Sequence, residues 1–197
     1  MFVIVMHAAV FLGLTRALRP GEILGLQWEN LDLEGETPTV TIKQSLIRRE
    51  GELRIGNTKT KQSERVLQLP EITRLTLKNH QKAQAKERIR KADFWTDMDL
   101  VFPNEKGTLW DPSNFRREFK KLTLKADIGD WRPNEMRHTS ISLLSHVGEP
   151  LENLADLAGH RDLRMVTQTY RHHLGGTIDG GVERATQLFG DDVSVSA

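Results

Sequence analysis

The residue types that could act together on a phosphate ester are spread along this chain of 197 residues. Tyr170 is the only tyrosine, and the absence of cysteine excludes a thiolate nucleophile. A phenol is a poor nucleophile at neutral pH unless cations stabilise the phenolate. Arg19 and Arg137 could supply that charge, because a planar guanidinium can bind two phosphate oxygens at once. Each residue alone is more often structural, so their order and spacing must carry the argument.

Two short segments in the first third of the chain hold cations. In residues 19–22 (RPGE), Arg19 is followed three residues later by the acid Glu22. Residues 57–65 (NTKTKQSER) place Lys59 and Lys61 between two predicted strands. A solvent-exposed hairpin charge remains an alternative for either lysine.

Two further segments lie near the end of the chain. Residues 131–139 (WRPNEMRHT) contain Asn134 and Arg137, one turn apart on the same face of a predicted helix. In residues 157–160 (LAGH), a glycine precedes His160, and Tyr170 follows ten residues later. A helix-capping histidine is the structural alternative for His160.

In order and spacing, the four segments resemble the catalytic domain of the tyrosine site-specific recombinases of the phage integrase family, over about residues 5–189. The resemblance implies site-specific DNA recombination, integration or excision, through a 3′-phosphotyrosyl intermediate on Tyr170. The free 5′-hydroxyl of the partner strand would then rejoin the DNA. No cofactor, nucleotide or metal is implied. An inactive DNA-binding remnant and a type IB topoisomerase remain the alternatives.

The resemblance assigns a catalytic role to five residues. Arg19 and Arg137 would clamp the phosphate, and Lys59 would protonate the leaving 5′ oxygen. His160 would donate a hydrogen bond to a non-bridging oxygen or assist the nucleophile Tyr170.

Two supporting residues complete the implied site. Glu22 would hold Arg19 in place. Asn134 departs from the pattern, because the family normally has His or Lys at its position. An amide can donate or accept a hydrogen bond but cannot take up a proton near neutral pH. If this position must act as a base, activity should fall.

The elements expected to position these residues give an α+β fold that is mainly helical, with a small three-stranded antiparallel sheet. The β-rich runs 40–47, 52–56 and 64–70 are interpreted as its strands. Hydrophobic periodicity and capping residues predict helices over 2–18, 23–28, 71–91, from 112, 133–147, 151–158 and 182–189. The helix over 71–91 is expected to bury Ile72, Leu75 and Leu77.

The helix that begins at residue 112 has the clearest local signals. Asp111 is a predicted N-cap, Pro112 suits the first helical position, and Phe115, Phe119 and Leu122 form a core stripe. Four basic residues fall off that stripe and either contact DNA phosphates or face water: Arg116, Arg117, Lys120 and Lys121.

Charge is unevenly distributed along the chain. Residues 40–125 hold 20 Lys and Arg against 11 Asp and Glu, while the remainder holds 8 against 16. A basic block of this kind is consistent with a phosphate-binding face or with a solvated surface. The partner implied by the resemblance is double-stranded DNA, with a homotetramer on DNA for the full-length protein and a monomer for the isolated domain.

One catalytic domain is expected over residues 1–189, with a disordered tail over 190–197. The chain starts inside an apolar helix without a cap, so we expect a fragment that lacks an N-terminal core-binding domain. The apolar run 1–14 is too short to span a bilayer, and a chain without cysteine fits the cytoplasm. His172 and His173 have no acidic partner at ligand spacing, so no metal is expected.

Overall fold

A computed structural model describes residues 2–57 and 64–159 of the protein, with side chains from residue 5 onward. The predictions for Lys59, Lys61, His160, Tyr170, His172, His173, the helix over 182–189 and the tail lie outside these residues. The described helices are α1 (Phe2–Arg16), α2 (Pro20–Leu24), α3 (Glu71–Lys91), α4 (Pro112–Lys125), α5 (Pro133–His146) and α6 (Leu151–Ala158). The strands are β1 (Leu31–Asp32), β2 (Thr39–Ile42), β3 (Gln44–Arg49), β4 (Glu52–Asn57) and β5 (Arg65–Gln68).

The fold class predicted from the sequence is confirmed, since the described part is mainly helical with a small antiparallel sheet. The membership of that sheet differs from expectation. The run 40–47 breaks at Lys43, so β2 pairs with β1 and β5 while β3 pairs only with β4. Glu50 and Gly51 both have positive φ, as a tight hairpin turn requires, and this turn commits β3 to β4.

The first two helices both end earlier in the chain than predicted. Ala17 has φ +52°, in the left-handed region, and ends α1 at Arg16 rather than at residue 18. Pro20 then begins α2, which ends at Leu24 instead of running over 23–28. A separate short 3-10 turn, Trp28–Asn30, follows.

Helix α3 has the predicted bounds but buries a different face. Ile72 and Leu75, expected inside, are 54% and 46% exposed, whereas Leu77 is fully buried as predicted. Polar side chains share the buried face with Leu77. His80 stacks on the ring of Phe102, and the amide of Gln84 donates to a backbone carbonyl. The helix packs against main-chain carbonyl groups there, so hydrophobicity alone does not identify its inner face.

The C-terminal helices follow their local signals. Asp111 accepts hydrogen bonds from the backbone N–H groups of Ser113 and Asn114 at the start of α4, and Phe115 and Phe119 are buried. Gly159 ends α6 with φ +59°. A small apolar cluster joins the ends of α1, α5 and α6: Ala17, Ile141, Leu154, Ala155 and Ala158. In the described part of the chain, no helix combines the length and hydropathy needed to cross a membrane.

Candidate active site

Arg19 lies immediately before α2, and Glu22 holds it from inside that helix. The backbone N–H of Arg19 donates to Glu22 Oε2 at 2.8 Å, and Arg19 Nη1 donates to Glu22 Oε1 at 3.0 Å. The Glu22 side chain is 3% exposed, whereas that of Arg19 is 40% exposed. Arg19 is therefore fixed at its base and still reaches solvent, the combination that contact with an external anion requires.

Arg65, the first residue of β5, is a component of the site that the sequence patterns do not single out. Its Nη1 and Nη2 donate to the two carboxylate oxygens of Glu22 at 3.1 and 3.0 Å. Burial would raise the pKa of the Glu22 carboxyl, but the hydrogen bonds and charge of Arg65, together with Arg19, outweigh burial and lower that pKa. Glu22 is thus an ionised centre shared by two arginines.

The same arginine joins this centre to the end of α6. Arg65 Nε donates to the carbonyl oxygen of Leu157 at 3.1 Å. Arg19 Nη2 approaches the carbonyl oxygen of Gly159 at 3.5 Å. The residue that precedes His160 is therefore in contact with the first arginine of the predicted site.

Arg137 reaches the end of α6 from α5. It is 6% exposed, and its Nη1 and Nη2 donate to the carbonyl oxygens of Ala17 and Ala158, each at 2.5 Å. Ala17 follows α1 and lies two residues before Arg19, while Ala158 lies next to Gly159. The structure thus brings the two predicted clamp arginines to one place, although they are 118 positions apart in numbering.

Asn134 lies outside this buried arrangement. It is exposed in the first turn of α5 and lines an open cleft of about 710 Å³ together with Arg19. Arg116, Lys120 and Arg132 also line this cleft, which we call the basic cleft.

The four predicted DNA-binding cations divide into two groups. Arg116 and Lys120 line the basic cleft, where Lys120 pairs with Asp130 at 2.5 Å. Arg117 and Lys121 instead pair with Glu118, at 3.7 and 2.8 Å. Arg117 also lines a different cavity, of about 780 Å³, between α3 and α4. The structure therefore brings only Arg116 and Lys120 beside the predicted active site.

A second residue absent from the sequence predictions is Arg132, immediately before α5. A sequence signal for it exists, since residues 19–22 (RPGE) and 132–135 (RPNE) share one pattern. In both, the acid accepts a hydrogen bond from the backbone N–H of the arginine, and proline begins the helix. The two helix starts face the same cleft.

Three predicted catalytic residues, Lys59, His160 and Tyr170, fall outside the described residues. Their chain neighbours are placed: Lys59 lies between β4 and β5, and His160 follows Gly159. Within residues 2–57 and 64–159, no group of three or more His or acidic side chains could hold a metal ion.

Comparison with known proteins shows the family of the chain. A family model described as "Phage integrase family" matches residues 4–175. An integrase of Streptomyces ambofaciens is 32% identical over 186 residues, covering 89% of this chain and 46% of that protein. A "Tyrosine recombinase XerC-like" protein of Caldanaerobacter subterraneus is 29% identical over 194 residues, covering 93% and 50%. The chain thus spans about half the length of these curated relatives.

Solved structures share the fold. The Tn1549 transposon integrase, in complex with circular intermediate DNA, aligns with a TM-score of 0.72 at 20% identity, covering 92% of this chain and 59% of that one. XerA recombinase aligns with a TM-score of 0.65 at 18% identity, covering 95% and 57%.

Proposed function

The chain belongs to the phage integrase family, and from this premise we propose that it is the catalytic domain of a tyrosine recombinase that cleaves and rejoins double-stranded DNA at specific sites. The observation that carries the proposal is the meeting of Arg19 and Arg137 at the end of α6. Both arginines contact the last residues before His160, and Tyr170 follows ten residues further along the chain.

The proposed reaction is a phosphoryl transfer in which the phosphotyrosyl bond retains the energy of the broken phosphodiester bond. The phenolic oxygen of Tyr170 attacks the scissile phosphorus, the bond from phosphorus to the 5′ oxygen breaks, and a 3′-phosphotyrosyl bond forms. Lys59 gives its proton to the departing 5′ oxygen. A 5′-hydroxyl of the partner strand then attacks the phosphotyrosine and releases Tyr170.

The described residues would act on the charge of the transition state. The exposed guanidinium of Arg19 would donate to a non-bridging oxygen, and Glu22 with Arg65 keeps it in place. Arg137 is held against two carbonyl groups and adds fixed positive charge. Preorganised cations stabilise a pentacoordinate phosphorane without reorganising during the reaction. His160 would bind a non-bridging oxygen or assist Tyr170.

Asn134 restricts how the proton of Tyr170 can be removed. Its exposed amide can bind a phosphate oxygen from the basic cleft, but it cannot accept a proton from Tyr170 at neutral pH. We therefore propose that the proton of the phenol passes to His160 or to water, and that cleavage is slower than it would be with His at this position.

The proposal extends to assembly and location. Tn1549 integrase and XerH have been solved in complexes with DNA, and this supports DNA as the partner of the present chain. We propose a homotetramer on DNA for the full-length protein, a monomer for this domain alone, and action in the cytoplasm.

A nicked suicide DNA substrate tests the function directly. The DNA flanking the gene supplies the candidate site, and a denaturing gel detects covalent protein–DNA adducts. We expect an adduct with the wild-type protein and none with Tyr170→Phe. If the wild type binds the DNA and forms no adduct, the protein is an inactive DNA-binding remnant and the proposed function is wrong.

A further inference from the structure

Most exposed arginines in the described part of the chain are neutralised by a neighbouring carboxylate. Within the described residues, six of them make an ion pair with Asp or Glu: Arg48, Arg49, Arg54, Arg88, Arg90 and Arg117. Arg116 and Arg132 are also exposed, and neither makes an ion pair within that part of the chain. These two unneutralised guanidinium groups lie in the same place, the basic cleft.

The cleft has a strong excess of positive charge. Among the described residues, Arg19, Arg116, Lys120 and Arg132 line it, against a single acid, Asp130. Arg19 and Lys120 have carboxylate partners in Glu22 and Asp130. Among the described residues, Arg116 and Arg132 are therefore the cations of the cleft that have no carboxylate partner.

The side chain of Arg132 does not cap the start of α5. Residues at the N-cap are usually Ser, Thr, Asp or Asn, whose side-chain oxygens accept a hydrogen bond from the helix. The Arg132 side chain makes no such bond, and Glu135 binds its backbone N–H instead. The start of the helix therefore does not account for a guanidinium that lines the cleft beside the neutral Asn134.

We propose that Arg116 and Arg132 form one phosphate-binding subsite, which takes a DNA backbone phosphate next to the phosphate contacted by Arg19. The inference rests on the proposed function for the nature of its ligand. Arg116 projects from α4 and Arg132 from the start of α5, so the two guanidinium groups approach the cleft from different elements. A phosphate held between them sets the register of the strand relative to Arg19.

The salt dependence of DNA binding tests the subsite without cleavage. The 197-residue protein is titrated against a short fluorescein-labelled DNA duplex at several salt concentrations, as wild type, Arg116→Ala, Arg132→Ala and the double variant. Each neutralised phosphate contributes about 0.9 to the slope of log affinity against log salt concentration. The double variant should lose about 0.9 from this slope, so its fall in affinity between about 50 and 200 mM salt becomes about 3-fold smaller.

Two further variants sharpen the result. Lys82→Ala removes an exposed cation from α3, outside the cleft lining, and should leave the slope unchanged. Arg132→Lys keeps the charge but loses the planar fork, so it should keep the slope while weakening binding. A double variant that behaves like Lys82→Ala overturns the subsite. A loss of about 1.8 from the slope also overturns it, since that value means two separate phosphates.

The hypotheses of the subsite and of the recombinase reaction can be refuted independently of each other. The adduct assay with the suicide substrate reports on Tyr170, whereas the slope reports on Arg116 and Arg132. Binding with the expected slope change but without any adduct refutes the recombinase reaction and supports the subsite. An adduct with unchanged slopes in the double variant supports the reaction and refutes the subsite.

Discussion

Arg65 binds both carboxylate oxygens of Glu22, and its side chain is only 8% exposed. Removing Arg65 leaves the buried Glu22 carboxylate with the more exposed Arg19 as its remaining partner. We expect Arg65→Ala to lower the free energy of unfolding by about 3–5 kcal/mol, measured by urea denaturation. Arg54→Ala, which breaks an exposed pair with Glu52, is the control and should cost at most about 1 kcal/mol. Equal losses in the two variants would contradict the role given to Arg65.

The lowered pKa of Glu22 predicts an acid-sensitive contribution to stability. The folded protein binds a proton at this carboxyl less readily than the unfolded chain does, so the contribution is complete above the ordinary pKa and is lost as pH falls through the folded pKa. From about pH 5 downward, the free energy of unfolding should fall more steeply for wild type than for Glu22→Gln. Other carboxyl groups with lowered pKa, such as Asp111, remain in both proteins and cancel in the comparison. Parallel curves would show that Glu22 is not held ionised.

Arg137 should be needed for folding as well as for catalysis. An ammonium group at the end of Arg137→Lys cannot replace the two separate nitrogens that bind the carbonyls of Ala17 and Ala158. A buried carbonyl left without a donor costs about 1–3 kcal/mol, which urea denaturation without DNA would detect. Adduct formation should fall by about 10²–10³-fold, as when one preorganised donor is lost. Unchanged stability would mean that the contacts with Ala17 and Ala158 are unimportant.

Any side chain at position 159 should lower the stability of the protein, for two reasons. Its φ of +59° is strained for alanine, at a cost of about 1–2 kcal/mol. A Cβ atom there would also lie 3.1 Å from Arg65 Nη1. Gly148 has φ +86°, and a Cβ atom added there would have no described residue within 4 Å, so Gly148→Ala isolates the backbone strain. Thermal denaturation should show a larger loss for Gly159→Ala, and a loss no larger than that of Gly148→Ala would contradict the contact with Arg65.

Replacing Asn134 by His should introduce a group that titrates near neutral pH. The position is exposed in the basic cleft, so the imidazole can be accommodated without repacking the core. We expect Asn134→His to form the covalent adduct faster, with a rate that rises with pH as the imidazole loses its proton and becomes a base. Asn134→Gln is the matched control and should add no such pH dependence. A rate that stays the same for His at every pH would show that this position takes no part in proton transfer.

Local signals were sufficient for much of the fold. The start of α4 follows from Asp111 and Pro112, whose side chain and ring act within the first turn. The end of α1 does not, because Ala17 carries no mark of a left-handed conformation. The Ala17 carbonyl accepts a hydrogen bond from Arg137, a contact across 120 positions that no local signal reveals.

In the candidate site, too, contacts between neighbours in sequence could be predicted, whereas contacts between distant residues could not. Arg19 and Glu22 are three residues apart, so their contact follows from helix geometry. Arg65 lies 43 residues from Glu22, and no spacing rule connects a strand residue to a helix residue at that distance. Its place in the site becomes visible only when β5 pairs with β2 and α6 packs beside it.

The start of α5 allows residue 132 to be exchanged without loss of the helix. Proline at the first position and Glu135 on the backbone N–H maintain the helix start, so the side chain at position 132 is independent of it. Evolution or a laboratory library can therefore exchange residue 132 while the scaffold stays intact. The charge that we propose meets the DNA is adjustable in small steps, and the affinity for the DNA backbone can shift before the chemistry does.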